Sequence, residues 1–346
     1  KYKKTNGLYD YTDMLELFVE KGPQVCPHFE LCLLDEAQDL SAIQWEIAHI
    51  LDGKSTKMYC SGDDDQAIYN FAGADIEHFI NLPGGAEILE RSYRVPATVH
   101  GLAHKISSRI RRRYPKKYLP RKNSRGSVQR IYSPDGLDFS RGDWLIVSQA
   151  HYQTNPIADY LKQGGFFFER SGYPSVPLKI STALQAWQKL QKDELIDLDE
   201  AKILYSFMRG NGVRVRRGFK TIRADESDRF SLDQLQQQYG LLATADMEWG
   251  TALDRLPDVD QVYCSAILRR GEDLTGVPRI RLSTIHGAKG GEAENVIVFS
   301  DLTAAAENAS EFDGDTLHRV FYVAVTRTKQ NLFVVEPDLY QRSYPL

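Results

Sequence analysis

Several features that define whole classes of protein are missing from this 346-residue chain. No run of 18 consecutive apolar residues is present, so the sequence predicts no membrane-spanning helix. The formal net charge is −4, from 43 basic and 47 acidic residues, so no strong overall field favours a nucleic acid or a membrane as partner. None of the four cysteines belongs to a C-x-x-C pair. We therefore expect free, reduced cysteines in the core of a cytoplasmic protein, with no disulfide or cysteine metal site.

Short apolar runs alternate with segments of helical periodicity, and 42% hydrophobic content is enough for two or three domains. The runs at 31–34, 57–61, 144–148, 279–284, 296–301 and 332–335 predict buried strands. Helices are predicted at 12–20, 42–51 and 156–163. This alternation predicts the α/β class, with parallel sheets flanked by helices and ligands at the carboxyl ends of strands.

Residues 179–270 differ in composition from the rest of the chain. They are rich in Gln and Leu, and their helical patterns are interrupted by the basic loop RVRRGFK. We interpret this part as a helical subdomain inserted between strands of the second sheet. The sequence does not decide whether this subdomain binds a protein partner.

The stretch LLDEAQDLSAIQ, residues 33–44, places the adjacent carboxylates of Asp35 and Glu36 directly after an apolar run. Charge is costly there, because burial removes it from water. A carboxylate at the end of a buried strand is suited to hold Mg²⁺, and its neighbour to deprotonate a water that attacks a phosphoryl group. Helix capping explains the same acids equally well, since acidic side chains favour a helix N-terminus.

The stretch CSGDDDQAIYNFAGAD, residues 60–75, follows another apolar run and contains acids, a glutamine and aromatic residues. The Gln66 amide is suited to contact a terminal phosphate or the attacking water. The rings of Tyr69 and Phe71 are suited to stack on unpaired bases. The alternative is an acidic turn followed by ordinary core aromatics.

Basic residues at three places complete the candidate site. Arg94 and Arg327 lie among apolar or small residues, where an arginine can neutralise charge on a transferred phosphoryl group or simply form a salt bridge. A glycine-rich turn with Lys289 can bind phosphates, although most such turns bind nothing. Residues 105–125 hold ten Lys or Arg and no acid, which indicates either a phosphate-facing surface or a solvated basic helix.

In their order along the chain, these motifs resemble those of the superfamily 1 DNA helicases of the UvrD/PcrA (Rep-like) type. The resemblance covers nearly the whole chain and is weakest across residues 179–270. The five matching motifs are DEAQD at 35–39 as the Walker B element, GDDDQAIY at 62–69, SYR at 92–94, TIHGAKG with the following glutamate at 284–292, and YVAVTR at 322–327.

This resemblance implies two RecA-like P-loop NTPase domains, with ATP in the cleft between them and single-stranded DNA across both. Residues 1–90 are then expected to be the C-terminal part of the first RecA-like domain. Residues 91–178 and 271–346 are expected to form the second, and 179–270 the inserted helical subdomain.

The resemblance also implies a role for each matched residue. Asp35 is expected to hold Mg²⁺, Glu36 to activate water, and Gln66 to sense the γ-phosphate. Arg94 and Arg327 are expected to reach the same phosphate. Of the remaining residues, those expected to contact the nucleotide are Tyr93 on adenine, Glu292 on the ribose, and Gly290. Those expected to contact nucleic acid are Tyr69, Phe71 (where the family usually has Trp), Thr284, His286, Lys289, Arg111 and Arg112.

One motif of the family is absent, because no G-x-x-x-x-G-K-[ST] occurs in the 346 residues. That P-loop binds the triphosphate, and in this family it precedes the Asp-Glu motif. We therefore expect the chain to be the C-terminal portion of a monomeric ATP-dependent DNA helicase and to be inactive alone. The parent is expected to move 3′→5′ on single-stranded DNA and to unwind duplexes at junctions, in repair or replication. The alternative is a non-catalytic module for single-stranded nucleic acid or protein docking.

Overall fold

The structure, a computed structural model, describes residues 2–310, 313–337 and 342–346. Positions 311–312 and 338–341 of the predicted segment 271–346 lie outside the described residues. The strands are β1 Phe29–Leu34, β2 Ser55–Cys60, β3 Ser127–Ile131, β4 Trp144–Ser148, β5 Phe168–Arg170, β6 Tyr173–Pro174, β7 Ile196–Asp197, β8 Arg229–Phe230, β9 Ile280–Thr284, β10 Ala293–Phe299 and β11 Thr328–Val335. The helices are α1 Tyr2–Asn6, α2 Tyr11–Val25, α3 Ala42–Asp52, α4 Ile76–Ile80, α5 Ala97–Ser107, α6 Asn155–Gln163, α7 Leu178–Gln191, α8 Leu198–Ser206, α9 Leu232–Gln238, α10 Trp249–Ala252, α11 Asp258–Arg269, α12 Ala304–Ser310 and α13 Gly314–Thr326. None of these helices is long and apolar enough to cross a membrane.

A mostly parallel sheet of seven strands, flanked by helices, is the largest element of the fold. Its order is β3-β11-β10-β4-β9-β5-β6. The pairs β3/β11, β11/β10 and β9/β5 are parallel, whereas β5/β6 at the edge is antiparallel. Two smaller sheets are the parallel pair β1/β2 and the antiparallel pair β7/β8. The predicted α/β class is therefore confirmed.

The chain divides into two compact units. The first comprises residues 1–133, 147–150 and 284–346, and the second comprises 134–146 and 151–283. The units do not follow the four predicted segments one to one. The assignment of those segments to functional domains stays a prediction.

In the first unit, β1 and β2 end side by side and present their C-terminal residues at one edge. Leu34 pairs with Cys60 at this edge, so the residues that follow the two strands are neighbours. On one face, Trp45 and Ala48 of α3 pack against Ala37. This packing fixes the loop that contains the Asp-Glu pair.

Helix α13 forms the second support of the same unit. It packs against α5, and its residues 319–326 are buried. Both ends of this buried stretch place an arginine inside the unit, because Arg319 and Arg327 are each only 2% exposed.

Between β6 and β9 the second unit contains helices α7–α11 and the short strands β7 and β8. Helices α7 and α8 pack together around the fully buried rings of Trp187 and Tyr205. A capping box of Asp197 and Glu200 starts α8, because each side chain accepts a hydrogen bond from the backbone N–H of the other.

The cysteines depart from the sequence-based expectation. All four are free, as predicted. Only Cys264 is buried, however, and Cys60 is exposed. The prediction of core positions was wrong for Cys60 because strand β2 leaves much of its length open to solvent.

Candidate functional site

Asp35 follows β1 and lies next to Ser61, which follows β2. Its Oδ1 accepts a hydrogen bond from Ser61 Oγ at 2.5 Å and another from the backbone N–H of Glu36 at 2.9 Å. These two bonds hold the pKa of the Asp35 carboxyl below its ordinary value. An exposed, ionised carboxylate thus stands at the carboxyl end of the strand pair.

Glu36 has an unusual backbone conformation. Its φ of 53° and ψ of 37° are left-handed, which is costly for a residue with a side chain and is found most often at functional sites. The carboxylate accepts a hydrogen bond from Gln38 Nε2 at 2.5 Å and lies 3.6 Å from Lys289 Nζ. The backbone and these two partners together fix the position of the Glu36 carboxylate.

The fully buried Gln38 connects this loop to the next motif. Its amide nitrogen donates to Glu36, and its Oε1 accepts from the backbone N–H of Asp63 at 3.0 Å. This close approach requires glycine at position 62, because a Cβ there would lie 2.3 Å from Gln38 Oε1 and 2.8 Å from Phe79 Cζ.

We expect Gly62→Ala to lower the free energy of unfolding by roughly 1–2 kcal/mol, the lower part of the range for overpacking, because both obstacles are side-chain atoms that can shift. Urea denaturation of the 346-residue chain measures this change. Gly101→Ala is the control, since nothing lies within 4 Å of its Cβ position in α5 and alanine there should be neutral or stabilising. Equal stability of the two variants would contradict the close-packing argument.

Asp39 and Lys289 form a half-buried ion pair beside Glu36. The Lys289 ammonium donates to Asp39 Oδ2, and the lysine side chain is only 8% exposed. Burial raises the pKa of Asp39 above its ordinary value, although Lys289 opposes the shift. Lys289 was predicted to contact nucleic acid, and the structure places its charge on the Asp-Glu loop instead of on the surface.

Three consecutive acids, Asp63, Asp64 and Asp65, are neutralised by two basic side chains. The Lys116 ammonium contacts all three carboxylates, at 2.5 Å for Asp63 and 3.3 Å for Asp65. Arg113 donates to Asp65 through Nε at 2.8 Å and through a second nitrogen. The acid cluster is therefore an internal salt-bridge network.

Gln66 joins this cluster to Arg327. Its Nε2 donates to Asp63 Oδ2 at 2.7 Å, and its Oε1 accepts from the Arg327 guanidinium at 2.8 Å. Burial, and then the like charge of Arg94, lower the pKa of Arg327 to about 10. The guanidinium consequently remains charged at neutral pH.

The other predicted nucleotide residues gather nearby. Arg94 Nε donates to Glu292 at 2.5 Å, and Lys329 Nζ lies 2.7 Å from the other oxygen of the same carboxylate. Lys329, followed by Arg94, keeps the pKa of Glu292 below its ordinary value despite partial burial. The ring of Tyr93 is 87% exposed and is thus free to stack on a planar ligand.

A groove of about 1200 Å³ in the first unit connects these side chains. Its lining includes Gln66, Tyr93, Arg94, Glu292 and Arg327. The structure therefore brings these five of the predicted residues to one groove. Asp35 and Glu36 are not among the residues that line the groove. Gly290, in the turn before Glu292, has a left-handed φ of 80°.

Three of the residues predicted to contact nucleic acid, Tyr69, Phe71 and His286, form a small aromatic platform. The rings of Phe71 and His286 meet edge to face with their centroids 5.3 Å apart, and the ring centroids of Tyr69 and Phe71 are 6.0 Å apart. Tyr69 donates its hydroxyl to the His286 carbonyl, and Thr284 Oγ1 accepts from Gly287 N–H in the same turn. Phe71 is 76% exposed, whereas burial lowers the pKa of His286. The platform thus offers one open aromatic face and a neutral imidazole.

Only some of the basic side chains at 105–125 face the solvent. The backbone N–H groups of Arg111 and Arg112 donate to Asp315, and the Arg112 guanidinium pairs with Glu77 at 2.5 Å. Arg113 turns inward to the acid cluster. Arg111 is exposed and is the better placed of the two predicted arginines to meet a phosphate.

The structure adds functional residues that sequence reasoning did not identify. Ser61 supports Asp35, and Gln38 and Lys116 support the acidic loops. The buried Arg319 donates to the backbone carbonyls of Asp64 and Arg112. In the sequence, Gln38 lies inside a matched motif, Ser61 and Arg319 lie within three positions of one, and Lys116 was noted only as part of the basic run at 105–125.

Comparison with known proteins identifies the same two ends of the motif series. Residues 1–84 match the UvrD/REP helicase N-terminal domain, and residues 279–335 match the UvrD-like helicase C-terminal domain. DNA helicase II of Haemophilus influenzae is 32% identical over 171 residues, which are 46% of this chain and 22% of that protein. DNA helicase II of Escherichia coli is 35% identical over 113 residues, 29% of this chain and 16% of that protein.

A third relative is the putative ATP-dependent DNA helicase YjcD of Bacillus subtilis, 30% identical over 128 residues, 34% of this chain and 17% of that protein. In all three cases the chain spans less than a quarter of the relative's length. Two domain models of one family match in the expected order, and the matched segments contain the Asp-Glu loop and the Gln66–Arg327 contact. At both ends of the motif series, the chain is therefore similar to the UvrD/REP type of superfamily 1 helicases.

Proposed function

We propose that the chain is part of an ATP-dependent DNA helicase that moves 3′→5′ along single-stranded DNA and unwinds duplexes at junctions. The observation that supports this most directly is the hydrogen bond between Gln66 and Arg327 in the groove. This bond places the Gln66 side-chain amide next to the positive charge of Arg327. In phosphoryl transfer, an amide can orient the attacking water, and an arginine can stabilise the charge of the transition state. Relatives named DNA helicases support DNA as the substrate.

The Asp35 carboxylate is a suitable oxygen ligand for Mg²⁺ that binds together with the nucleotide. Asp35 presents an ionised carboxylate, the kind of ligand that Mg²⁺ prefers. Within the described ranges, no group of three or more His, Cys, Asp or Glu side chains can surround a metal. Asp35 would therefore hold the ion as one of few protein ligands, as is usual for Mg²⁺ that binds together with phosphates.

The residues present can contact the adenine and the γ-phosphate of ATP, but they include no P-loop for its β-phosphate. The exposed Tyr93 ring is available for adenine, and Arg94 and Arg327 supply positive charge for the terminal phosphate. No P-loop occurs in the 346 residues to bind the β-phosphate. In the present arrangement Arg94 pairs with Glu292, so we infer that nucleotide competes for this arginine.

Each protein group then has a defined task. Glu36, fixed by its left-handed backbone and by Gln38, accepts the proton of the attacking water. Gln66 orients that water or the γ-phosphate, and Arg327 neutralises the charge that develops there. Bound Mg²⁺ supplies charge neutralisation for the phosphates. The Phe71 platform holds a base of the translocating strand by stacking.

A second candidate is a non-catalytic module that binds single-stranded nucleic acid or docks a protein. The absence of a P-loop from the 346 residues favours it. The strained Glu36 and the Gln66–Arg327 contact favour the motor, since a clamp needs neither. Under the motor proposal, the chain keeps the domain segments predicted from the sequence, and the helicase is a monomer in the cytoplasm.

DNA-stimulated ATP hydrolysis tests this proposal. We expect the 346-residue chain to be inactive, and a form extended upstream through a Gly-Lys-Thr/Ser element of its reading frame to be active. In the extended form, Glu36→Gln should lower the rate by at least 10²-fold, as expected for loss of a general base, without loss of single-stranded DNA binding. An extended form that binds DNA and never hydrolyses ATP would support the clamp instead.

A further inference from the structure

Lys116 belongs by sequence to the basic run at 105–125, but its side chain lies inside the first unit. It is only 13% exposed, and its ammonium lies 2.5 Å from Asp63 and 3.3 Å from Asp65, with a further contact to Asp64. Although Lys116 lines the groove, its ammonium is already paired with three carboxylates. Its contacts instead point to a role within the acidic loop.

Asp63 is the carboxylate that determines how the Gln66 amide is oriented. Its Oδ2 accepts from Gln66 Nε2 at 2.7 Å, and its Oδ1 accepts from the backbone N–H of Asp65 at 3.1 Å. An ionised carboxylate can only accept hydrogen bonds, so it selects the nitrogen end of an amide. The oxygen end of Gln66 is then left to face Arg327, as observed.

This selection depends on a cation beside Asp63. Three neighbouring carboxylates in a buried loop repel one another, and without compensation one of them takes up a proton. Lys116 is in contact with Asp63, whereas Arg113 pairs with Asp65. The two basic residues therefore have separable tasks within one network.

We propose that Lys116 is a positioning residue, which keeps Asp63 ionised so that the Gln66 amide presents its oxygen to Arg327 and its nitrogen to Asp63. The proposal deepens the proposed function, because it concerns the glutamine assigned there to the γ-phosphate or the attacking water. Lys116 itself need not touch nucleotide or DNA.

The side-chain amide signals of Gln66 report on this arrangement directly. They can be assigned in the deuterated, ¹⁵N-labelled 346-residue chain by their loss in Gln66→Glu. We expect Lys116→Met to shift both amide proton signals and to speed their exchange with water. We expect Arg113→Met, which removes a cation of the same network without touching Asp63, to leave them near their original positions. Lys116→Arg should restore most of the original signal positions.

A pH titration provides the readout that a purely structural role would not change. Burial alone raises the pKa of Asp63, and the pairing with Lys116 brings it below its ordinary value. The other charged or titratable groups that face Asp63 are Asp64, Asp65, Tyr322 and Arg327. In the original chain the Gln66 signals should stay constant from neutral to mildly acid pH. In Lys116→Met they should titrate in that interval, because burial is no longer compensated.

Two outcomes would overturn the proposal. One is that Lys116→Met leaves the Gln66 signals in place, and the other is that Arg113→Met shifts them as much. If Lys116→Met does not fold, Asp63→Asn must shift the Gln66 signals, and unchanged signals there overturn the proposal as well. None of these measurements uses nucleotide or DNA, so a failed motor assay and a failed positioning role are told apart.

Discussion

Replacing Arg327 by methionine should lower the rate of ATP hydrolysis by the extended, active form by about 10³–10⁵-fold, the range found when an arginine that stabilises phosphoryl transfer is lost. The guanidinium is 2% exposed and donates to Gln66, to the Val323 carbonyl at 3.0 Å and to Gly291. A group fixed in this way loses little entropy in the transition state, so its removal affects the rate more than the binding of ATP.

The conservative variant Arg327→Lys distinguishes charge from geometry. Lysine keeps the positive charge, but it lacks the planar fork that allows one side chain to bond Gln66 and two carbonyls together. We therefore expect Arg327→Lys to be almost as slow as Arg327→Met. Arg130→Met is the matched control, because Arg130 is half exposed and pairs with Glu336 on the surface; its rate should be unchanged.

Stability and pH complete this test. Arg327→Met removes the guanidinium hydrogen bonds to Gln66 and to the Val323 and Gly291 carbonyls. Unfolding must therefore be followed beside the kinetics to show that the variant is folded at the assay temperature. Because the pKa of Arg327 is about 10, its deprotonation should not contribute to the pH–rate profile at neutral pH. A folded Arg327→Met enzyme with the original rate would contradict the assigned role.

The strands of the α/β fold could be predicted where the apolar runs were long and uninterrupted. The run at 144–148 is observed unchanged as β4, and 31–34 as part of β1. Five strands were not foreseen, and three of them, β6, β7 and β8, have only two residues each. Ser127–Ile131 has only two apolar residues and no strict alternation, and Phe168–Arg170 has three residues, so neither produces a distinctive local pattern. Both form because they pair with strands that are distant in sequence.

The candidate site could be predicted as residue types and order, but not as contacts. The motif order identified Gln66 and Arg327, which are 261 positions apart, yet no sequence pattern indicates that they share a hydrogen bond. The basic run shows the converse. Arg113 and Lys116 were part of a proposed phosphate-facing surface, and the structure turns both toward buried acids. Charge counts cannot make this distinction, because burial and pairing are properties of the packed chain.

The aromatic platform allows an equally sharp test with the 346-residue chain itself. Phe71→Ala should weaken the binding of a single-stranded oligonucleotide by about 1–3 kcal/mol, or roughly 5–150-fold, the contribution of one base stacked on an aromatic ring. Phe71 is 76% exposed and is held from below by His286. Its removal therefore deletes a stacking surface without opening a cavity. Fluorescence anisotropy at fixed salt measures the loss.

Two further variants separate stacking from other effects. Phe71→Trp should retain or tighten binding, since indole offers a larger face, and Tyr132→Ala should have no effect although that ring is 88% exposed. The slope of affinity against salt should stay the same in Phe71→Ala, because stacking releases no counterions. It should become shallower in Arg111→Ala, because that variant removes the proposed phosphate contact. A Phe71→Ala chain with unchanged affinity would place the bases elsewhere, and a changed salt slope would mean that the ring had been supporting a cationic contact instead.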